Sequence, residues 1–300
     1  MPKLPFAPSA RRLTALLAVC LVTAFTQARA QNPPANPAPA AAPGQSSGKS
    51  EPDAKANDEI LAKAGKLYYS TTKAGLAGFD CAVHPDWRKI FLSAGKASAV
   101  AADDPRIVLL KPVKIALHAR LNGSSSLDWA APATPDKPLD QSSIDLLEQM
   151  HQATEQTLTG FLQFWTPFAD GSAIPASAQG LEITKTENGY ILNAEQGGTA
   201  VTEVLDKQLL LKQFKVVMKQ ATVDFAPAYK STDKGLLVNS FVAHILPAGA
   251  PPEKAQEMRV EIGYQSVDGF PIPSELFMNV VNRGEFDFVL DGCTVSRQAK

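Results

Sequence analysis

The second half of the chain, residues 181–295, alternates apolar and polar residues over short runs separated by turn-forming residues. Such period-two alternation is typical of half-buried strands. Asn188-Gly189 and Gly197-Gly198 separate the first three runs, and both pairs suit tight hairpins because they tolerate positive φ. No helical pattern separates one run from the next. The sequence therefore predicts one large antiparallel meander.

We predict strands at every alternating run of this region. Their ranges are 181–185, 190–194, 199–205, 209–218, 221–225, 236–246, 258–265, 274–281 and 285–295.

The preceding part of the chain combines helical and strand-like patterns. Apolar residues at three- and four-residue steps predict a helix over residues 58–74, and Phe79, Cys81 and Val83 alternate with polar neighbours in a first strand. A short helix starts around Trp87, and residues 107–121 are strand-like. The fold class is thus α+β, a curved antiparallel sheet with a few helices.

A long helix is predicted over residues 143–165, with Ser142 and Asp145 spaced as a capping box and Pro167 preventing its continuation. A wide apolar stripe follows one side of it. Such a stripe closes a hydrophobic core in most proteins, and it can also line an adaptable apolar cavity. Our candidate ligand-binding residues on this helix are Leu147, Met150, Leu158, Phe161 and Trp165.

The opposing candidates lie on the strand at residues 258–265. Met258, Ile262 and Tyr264 alternate with charged residues such as Arg259 and Glu261. Because the charged set must face water, we expect the apolar set to face the interior.

The first thirty residues have the three parts of a secretory signal peptide. Lys3, Arg11 and Arg12 precede an apolar run at 13–25, and Ala28-Arg29-Ala30 places small residues before a cleavage site after Ala30. That run is shorter than the roughly 20 residues of a spanning helix. Two alternatives are a lipid-modified Cys20 and a twin-arginine signal at Arg11-Arg12. We expect an exported protein that is soluble in the periplasm or outside the cell.

Residues 31–57 consist mainly of Pro, Ala, Ser, Gly and Asn, with almost no large apolar residue. We interpret them as a semi-stiff, disordered tether before a single domain at residues 58–296. If Cys20 were lipidated instead, this tether would hold the domain near a membrane, as a peripheral envelope protein.

Two cysteines, Cys81 and Cys293, remain after the signal is removed. An even pair in an oxidising compartment predicts a disulfide, and two buried free thiols are the alternative. The chain has no CxxC motif, so zinc-ribbon and thioredoxin-like functions have no basis.

Charge argues against nucleic-acid binding. Four of the 29 basic residues leave with the signal peptide, so that 25 basic residues face 30 acidic ones and the net charge is near −5. A nucleic-acid binder normally shows a basic face.

The sequence shows no nucleophile elbow, phosphate-binding glycine loop, dinucleotide fingerprint or HExxH helix. His84, His118, His151 and His244 lie in four separate elements, so we interpret them as isolated surface or core residues. We assign no catalytic residue, metal ligand or cofactor, and expect a non-catalytic protein.

The C-terminal part resembles the LolA/LolB-like periplasmic lipoprotein carriers and their outer-membrane lipoprotein-sorting relatives. The similarity lies in residues 262–273, whose Val267-Asp268-Gly269-Phe270-Pro271 turn is similar to a "y..vdGf.lP" turn between late strands, and in the final strand at Phe286. The segment 122–180 departs from the compact carrier pattern.

The resemblance implies an open, incomplete β-barrel with helices covering its concave face. It implies a carrier or binder of a hydrophobic ligand, such as lipoprotein acyl chains. Two alternatives stay open: a non-catalytic envelope interaction or scaffold domain with a fully packed core, and an exported hydrolase with an unrecognised site.

Overall fold

A computed structural model describes residues 51–94, 100–122, 124–130, 139–171, 173–196, 198–281 and 284–298. The predicted signal peptide, its cleavage site at Ala30 and the tether up to residue 50 lie outside these residues. The described residues form one open 12-stranded sheet in the order β3-β2-β1-β12-β11-β10-β9-β8-β7-β6-β5-β4. All neighbouring strands pair antiparallel, and β3 and β4 are the two edges.

The strands confirm the predicted meander from β4 onward. They are β1 Leu76–Pro85, β2 Lys114–Arg120, β3 Ser125–Ala130, β4 Glu182–Thr186, β5 Gly189–Gln196, β6 Thr199–Asp206, β7 Leu211–Val217, β8 Ala221–Thr232, β9 Gly235–Pro247, β10 Gln256–Val267, β11 Phe270–Val280 and β12 Gly284–Arg297.

Four α-helices and one short 3₁₀ turn complete the described part of the fold. They are α1 Glu51–Gly65, α2 Trp87–Ala94, α3 Pro105–Leu110, α4 Gln141–Asp170 and the turn Pro252–Lys254.

The first helix differs from the predicted range 58–74, since α1 begins at Glu51 and ends at Gly65. The chain beyond it binds the sheet instead of continuing the helix. The backbone N–H of Tyr69 donates to the carbonyl of Leu236, and the N–H of Leu236 donates to the carbonyl of Leu67. Tertiary pairing therefore replaces the last predicted helical turns.

The strand-like pattern predicted for residues 107–121 was wrong in its first part, because α3 occupies Pro105–Leu110. Asp104 caps this helix by accepting from the backbone N–H of Arg106, and Pro105 occupies the first turn. A short apolar run has no distinguishing period, so the cap decides its structure.

The long helix was predicted correctly in position, but α4 extends beyond residues 143–165 at both ends. Asp140 is the N-cap and accepts from the N–H of Ser143 at 2.8 Å, in place of the predicted Ser142 capping box. At the other end, the helix passes Pro167 and stops at Gly171, whose φ of 76° is left-handed. Pro167 has no N–H to donate, so the helix loses one intrahelical hydrogen bond near its end.

The first and last strands, β1 and β12, are direct neighbours in the sheet. They bring Cys81 and Cys293 into a disulfide, with the two Cα atoms 4.1 Å apart. The predicted bond is confirmed. The two bonded strands lie in the interior of the sheet, because its edges are β3 and β4.

One face of the sheet, which we call the inner face, packs against α4. The ring of Phe164 on α4 lies 4.8 Å from that of Phe225 on β8 and 3.7 Å from that of Phe241 on β9. The buried residues of both elements belong to one hydrophobic core.

Among the described residues, no helix combines the length and apolar character needed to cross a membrane.

Candidate functional site

A row of paired residues crosses the inner face over eight neighbouring strands. Each member is the register partner of the next, so all eight side chains share one face. This inner row consists of Ile183, Leu192, Glu203, Phe214, Phe225, Ala243, Met258 and Val280. Seven of the eight are apolar, so the sequence builds a hydrophobic band across the sheet.

The C-terminal half of α4 crosses this band. Phe164 contacts Phe225 of the inner row, and Trp165 packs edge to face on Phe79 of β1 at 5.8 Å. The indole N–H of Trp165 donates to the phenol oxygen of Tyr264 at 2.9 Å. The phenol of Tyr264 in turn donates to the carbonyl of Val238 at 2.6 Å. Helix and sheet are therefore joined by a buried hydrogen-bonded pair as well as by rings.

The eight candidate ligand-binding residues predicted from the sequence lie on α4 and on β10 of the sheet, as expected. The structure brings Trp165 and Tyr264 into direct contact, and Phe161 stacks beside Trp165 with ring centroids 6.5 Å apart. Six of the eight are buried: Leu147, Leu158, Phe161, Trp165, Met258 and Ile262. Met150 and Tyr264 are partly buried and pack against the same core.

A small pocket, with room for about one water molecule, lies between α4 and the end of the β2–β3 hairpin. Trp165 lines it. Its neighbour Gln163 carries a buried side-chain oxygen without a hydrogen-bond partner. The wall also contains Leu162, Ala119, Arg120, Leu121, Ser124, Ser125 and Thr166.

Glu203 on β6 is a residue that sequence reasoning missed. It is only 6% exposed, and its Oε2 atom has no hydrogen-bond partner. Burial raises the pKa of this carboxyl to about 8, so it is largely protonated at neutral pH. The alternation itself could have identified it, because Glu203 shares the inward phase of β6 with Leu205, which is fully buried.

A tyrosine pair lies near Glu203. The phenol of Tyr68 accepts from the backbone N–H of Leu211 at 2.7 Å, and the phenol of Tyr229 donates to the Leu211 carbonyl at 3.1 Å. The two phenols also interact with each other, and their rings meet edge to face at 5.2 Å. Burial raises the pKa of both, so that this end of the inner face carries neutral polar groups.

The histidines remain apart, as predicted. His118 on the outer face contacts Asp80 at 2.7 Å and Asp128 at 3.1 Å, while His84 contacts Asp291. His151 stacks on Trp129, and His244 pairs with Glu257. Within the described ranges, no group of three or more His, Cys, Asp or Glu side chains has the arrangement of a metal site.

The chemistry available on the inner face is therefore apolar contact combined with one buried carboxyl and a pair of phenols. No family model, curated protein or solved structure matches this chain.

Proposed function

We propose that this protein is an exported, non-catalytic carrier or binder of a hydrophobic, acyl- or lipid-like ligand. The proposed site lies between α4 and the inner row, on the concave side of an incomplete barrel that the helices cover. The ligand is held by apolar contact, and no cofactor takes part.

The observation that carries this proposal is the inner row itself. An open sheet with an apolar band across eight strands must bury that band against a helix, a partner or a ligand. Helix α4 contacts the band at Phe225. Towards the β4 edge, Ile183 and Phe214 of the same row are only partly buried. These two side chains leave part of their apolar surface uncovered, while Leu192 between them is buried.

Two further features support the proposal. The Cys81–Cys293 disulfide fits the oxidising compartment of an exported protein. The sequence resemblance to LolA/LolB-like carriers points to the periplasm and to acyl chains as the ligand class.

A second candidate function is a non-catalytic envelope interaction or scaffold domain with a packed core. The contact that favours it is the one between Phe164 and Phe241, whose ring centroids lie 3.7 Å apart. Together with the Trp165–Tyr264 hydrogen bond, it closes the space between helix and sheet at that position. In this alternative the candidate residues fill a core and line no site.

The variant Phe161→Ala separates the two functions, because its stability and its binding of a fluorescent fatty acid are both measured. If Phe161 is a core residue, its truncation should lower the free energy of unfolding by roughly 3 to 5 kcal/mol. If Phe161 lines a ligand site, its truncation should lower the free energy of unfolding by less. The affinity for the fatty acid should then fall at least tenfold, about 1.4 kcal/mol.

The matched control is Phe277→Ala, which removes the same side chain from the opposite face of the sheet. Phe277 on β11 pairs with Asp287 and Glu261, both charged residues of the outer face. It should lose stability without losing binding. A large stability loss in Phe161→Ala, in a protein that binds no fatty acid, would remove the carrier function and leave the scaffold.

A further inference from the structure

The inner row is interrupted by one ionisable side chain, Glu203. Its strand partners on either side are Leu192 of β5 and Phe214 of β7, both apolar. Two strands further along, Phe225 continues the row as a fully buried ring. A carboxyl in such surroundings loses its hydration, and a buried polar atom without a partner costs free energy. A role in binding would explain why this position holds a carboxyl where its row is otherwise apolar.

Two phenols interact electrostatically with Glu203, but they are hydrogen-bonded elsewhere, and its Oε2 atom has no partner. Tyr68 and Tyr229 are hydrogen-bonded to the backbone of Leu211 and interact with each other. Both tyrosines also experience the charge of Glu203. The register neighbours on β5 and β7 carry no charge, and the next acid on its own strand, Asp206, binds the backbone N–H groups of Gln208 and Leu210. A hydrogen-bond donor supplied by a ligand is therefore the partner that fits Oε2.

We propose that Glu203 binds the amine head group of an amphiphilic ligand whose hydrocarbon chain lies along the inner row. This inference rests on the proposed function, since the apolar row must first accept the chain. An ammonium group supplies N–H donors and a positive charge to the buried carboxyl. A carboxylate head group could accept only the one proton that Glu203 holds, and it would leave an uncompensated negative charge in apolar surroundings. The site should therefore discriminate by head group between chains of equal length.

Binding of an ammonium also has a defined proton balance. Burial raises the pKa of Glu203 to about 8, so the free protein holds the carboxyl proton at pH 7. An adjacent positive charge favours the ionised form, so the carboxyl proton passes to the solvent and roughly one proton is released per amine bound. The product is a carboxylate–ammonium pair, and no covalent bond forms or breaks. The phenols of Tyr68 and Tyr229 keep their protons because burial raises their pKa values as well.

The test compares dodecylamine, dodecanol and dodecanoate, at micromolar concentrations, on the delipidated mature protein by calorimetry in two buffers of different ionisation enthalpy. We expect dodecylamine to bind at least tenfold more tightly than dodecanoate at pH 7, with proton release into the buffer. Glu203→Gln keeps the size of the side chain and should abolish both the preference and the proton release. The control Glu182→Gln makes the same charge change on the exposed edge strand β4 and should leave both unchanged.

The outcomes separate this inference from the function on which it rests. If all three chains bind to wild type with similar affinity, or if Glu203→Gln retains the amine preference, the role of Glu203 is wrong while the hydrophobic site stands. If none of the three chains binds, both proposals fail. Because the proton count is measured on wild type alone, amine binding without proton release overturns the inference even if Glu203→Gln does not fold.

Discussion

The indole N–H of Trp165 donates to the phenol oxygen of Tyr264 across 2.9 Å, and this bond joins α4 to β10. The hydroxyl of Tyr264 in turn donates to the carbonyl of Val238 on β9 at 2.6 Å. A chain of two buried hydrogen bonds thus fixes the position of the helix over the inner face, at the residue that also lines the pocket.

Tyr264→Phe should destabilise the fold by roughly 1 to 3 kcal/mol, because it leaves the Trp165 N–H and the Val238 carbonyl without partners. Chemical denaturation monitored by tryptophan fluorescence measures the change. Tyr190→Phe on β5 is a control that removes a tyrosine hydroxyl elsewhere on the sheet. An unchanged free energy of unfolding in Tyr264→Phe would contradict a structural role of the bond.

Removal of the disulfide should lower the melting temperature clearly. The bond closes a loop with a sequence separation of 212 residues, for which the chain-entropy treatment gives at most about 5 kcal/mol. The double variant Cys81→Ala/Cys293→Ala should melt at the same temperature as reduced wild type. Native protein that reacts with a thiol reagent at both cysteines would show that the bond is absent.

Glu203 should make stability depend on pH above its ordinary titration range. Its folded pKa, about 8, lies above the unfolded value of 4.5, so its favourable contribution is complete below pH 4.5 and is lost as the pH rises to 8. The free energy of unfolding of wild type should fall in this window, by up to about 1.4 kcal/mol per pH unit, relative to Glu203→Gln. Denaturant unfolding at several pH values measures it. Parallel pH profiles of the two proteins would contradict a buried carboxyl.

His118 should contribute a smaller, separate pH dependence. The hydrogen bonds that the imidazole donates to Asp80 and to Asp128 raise its pKa, the bond to Asp80 contributing most. Its stabilising contribution is therefore complete below the unfolded value of about 6.5 and disappears as the pH rises through the folded pKa. His118→Asn should flatten the stability profile in that window. NMR titration of the imidazole provides an independent check, since a pKa below 6.5 would contradict these ion pairs.

The sequence predicted those parts of the fold that local periodicity determines. Alternation at Phe79, Cys81 and Val83 located β1, and the meander from β4 to β12 followed from strand and turn patterns. The pairing of β1 with β12 is long-range and has no local signal. The strand β3, within the segment 122–180, was missed for a different reason, since it is short and its residues alternate weakly.

Part of the candidate site could be predicted from the sequence in the same way. The spacing of apolar residues along α4 and β10 predicted Trp165 and Tyr264 as candidates, and the two side chains are hydrogen-bonded in the structure. The inner row could not be predicted from the sequence, because it depends on the register of pairing across eight strands. Glu203 was passed over because a carboxylate on a strand normally faces water, although its alternation with Leu205 indicated the inner face, where it lies opposite Leu192 and Phe214.

The most direct test of the proposed function is an equilibrium titration of the delipidated mature protein with a fluorescent long-chain alcohol below its critical micelle concentration, since a neutral head group tests the apolar site without the charge of Glu203. Burial of the probe on the inner row predicts a saturable rise in fluorescence from a single site, reversed by an unlabelled apolar competitor. A signal that rises without saturation, or that the competitor does not reverse, would contradict a hydrophobic binding site between α4 and the sheet.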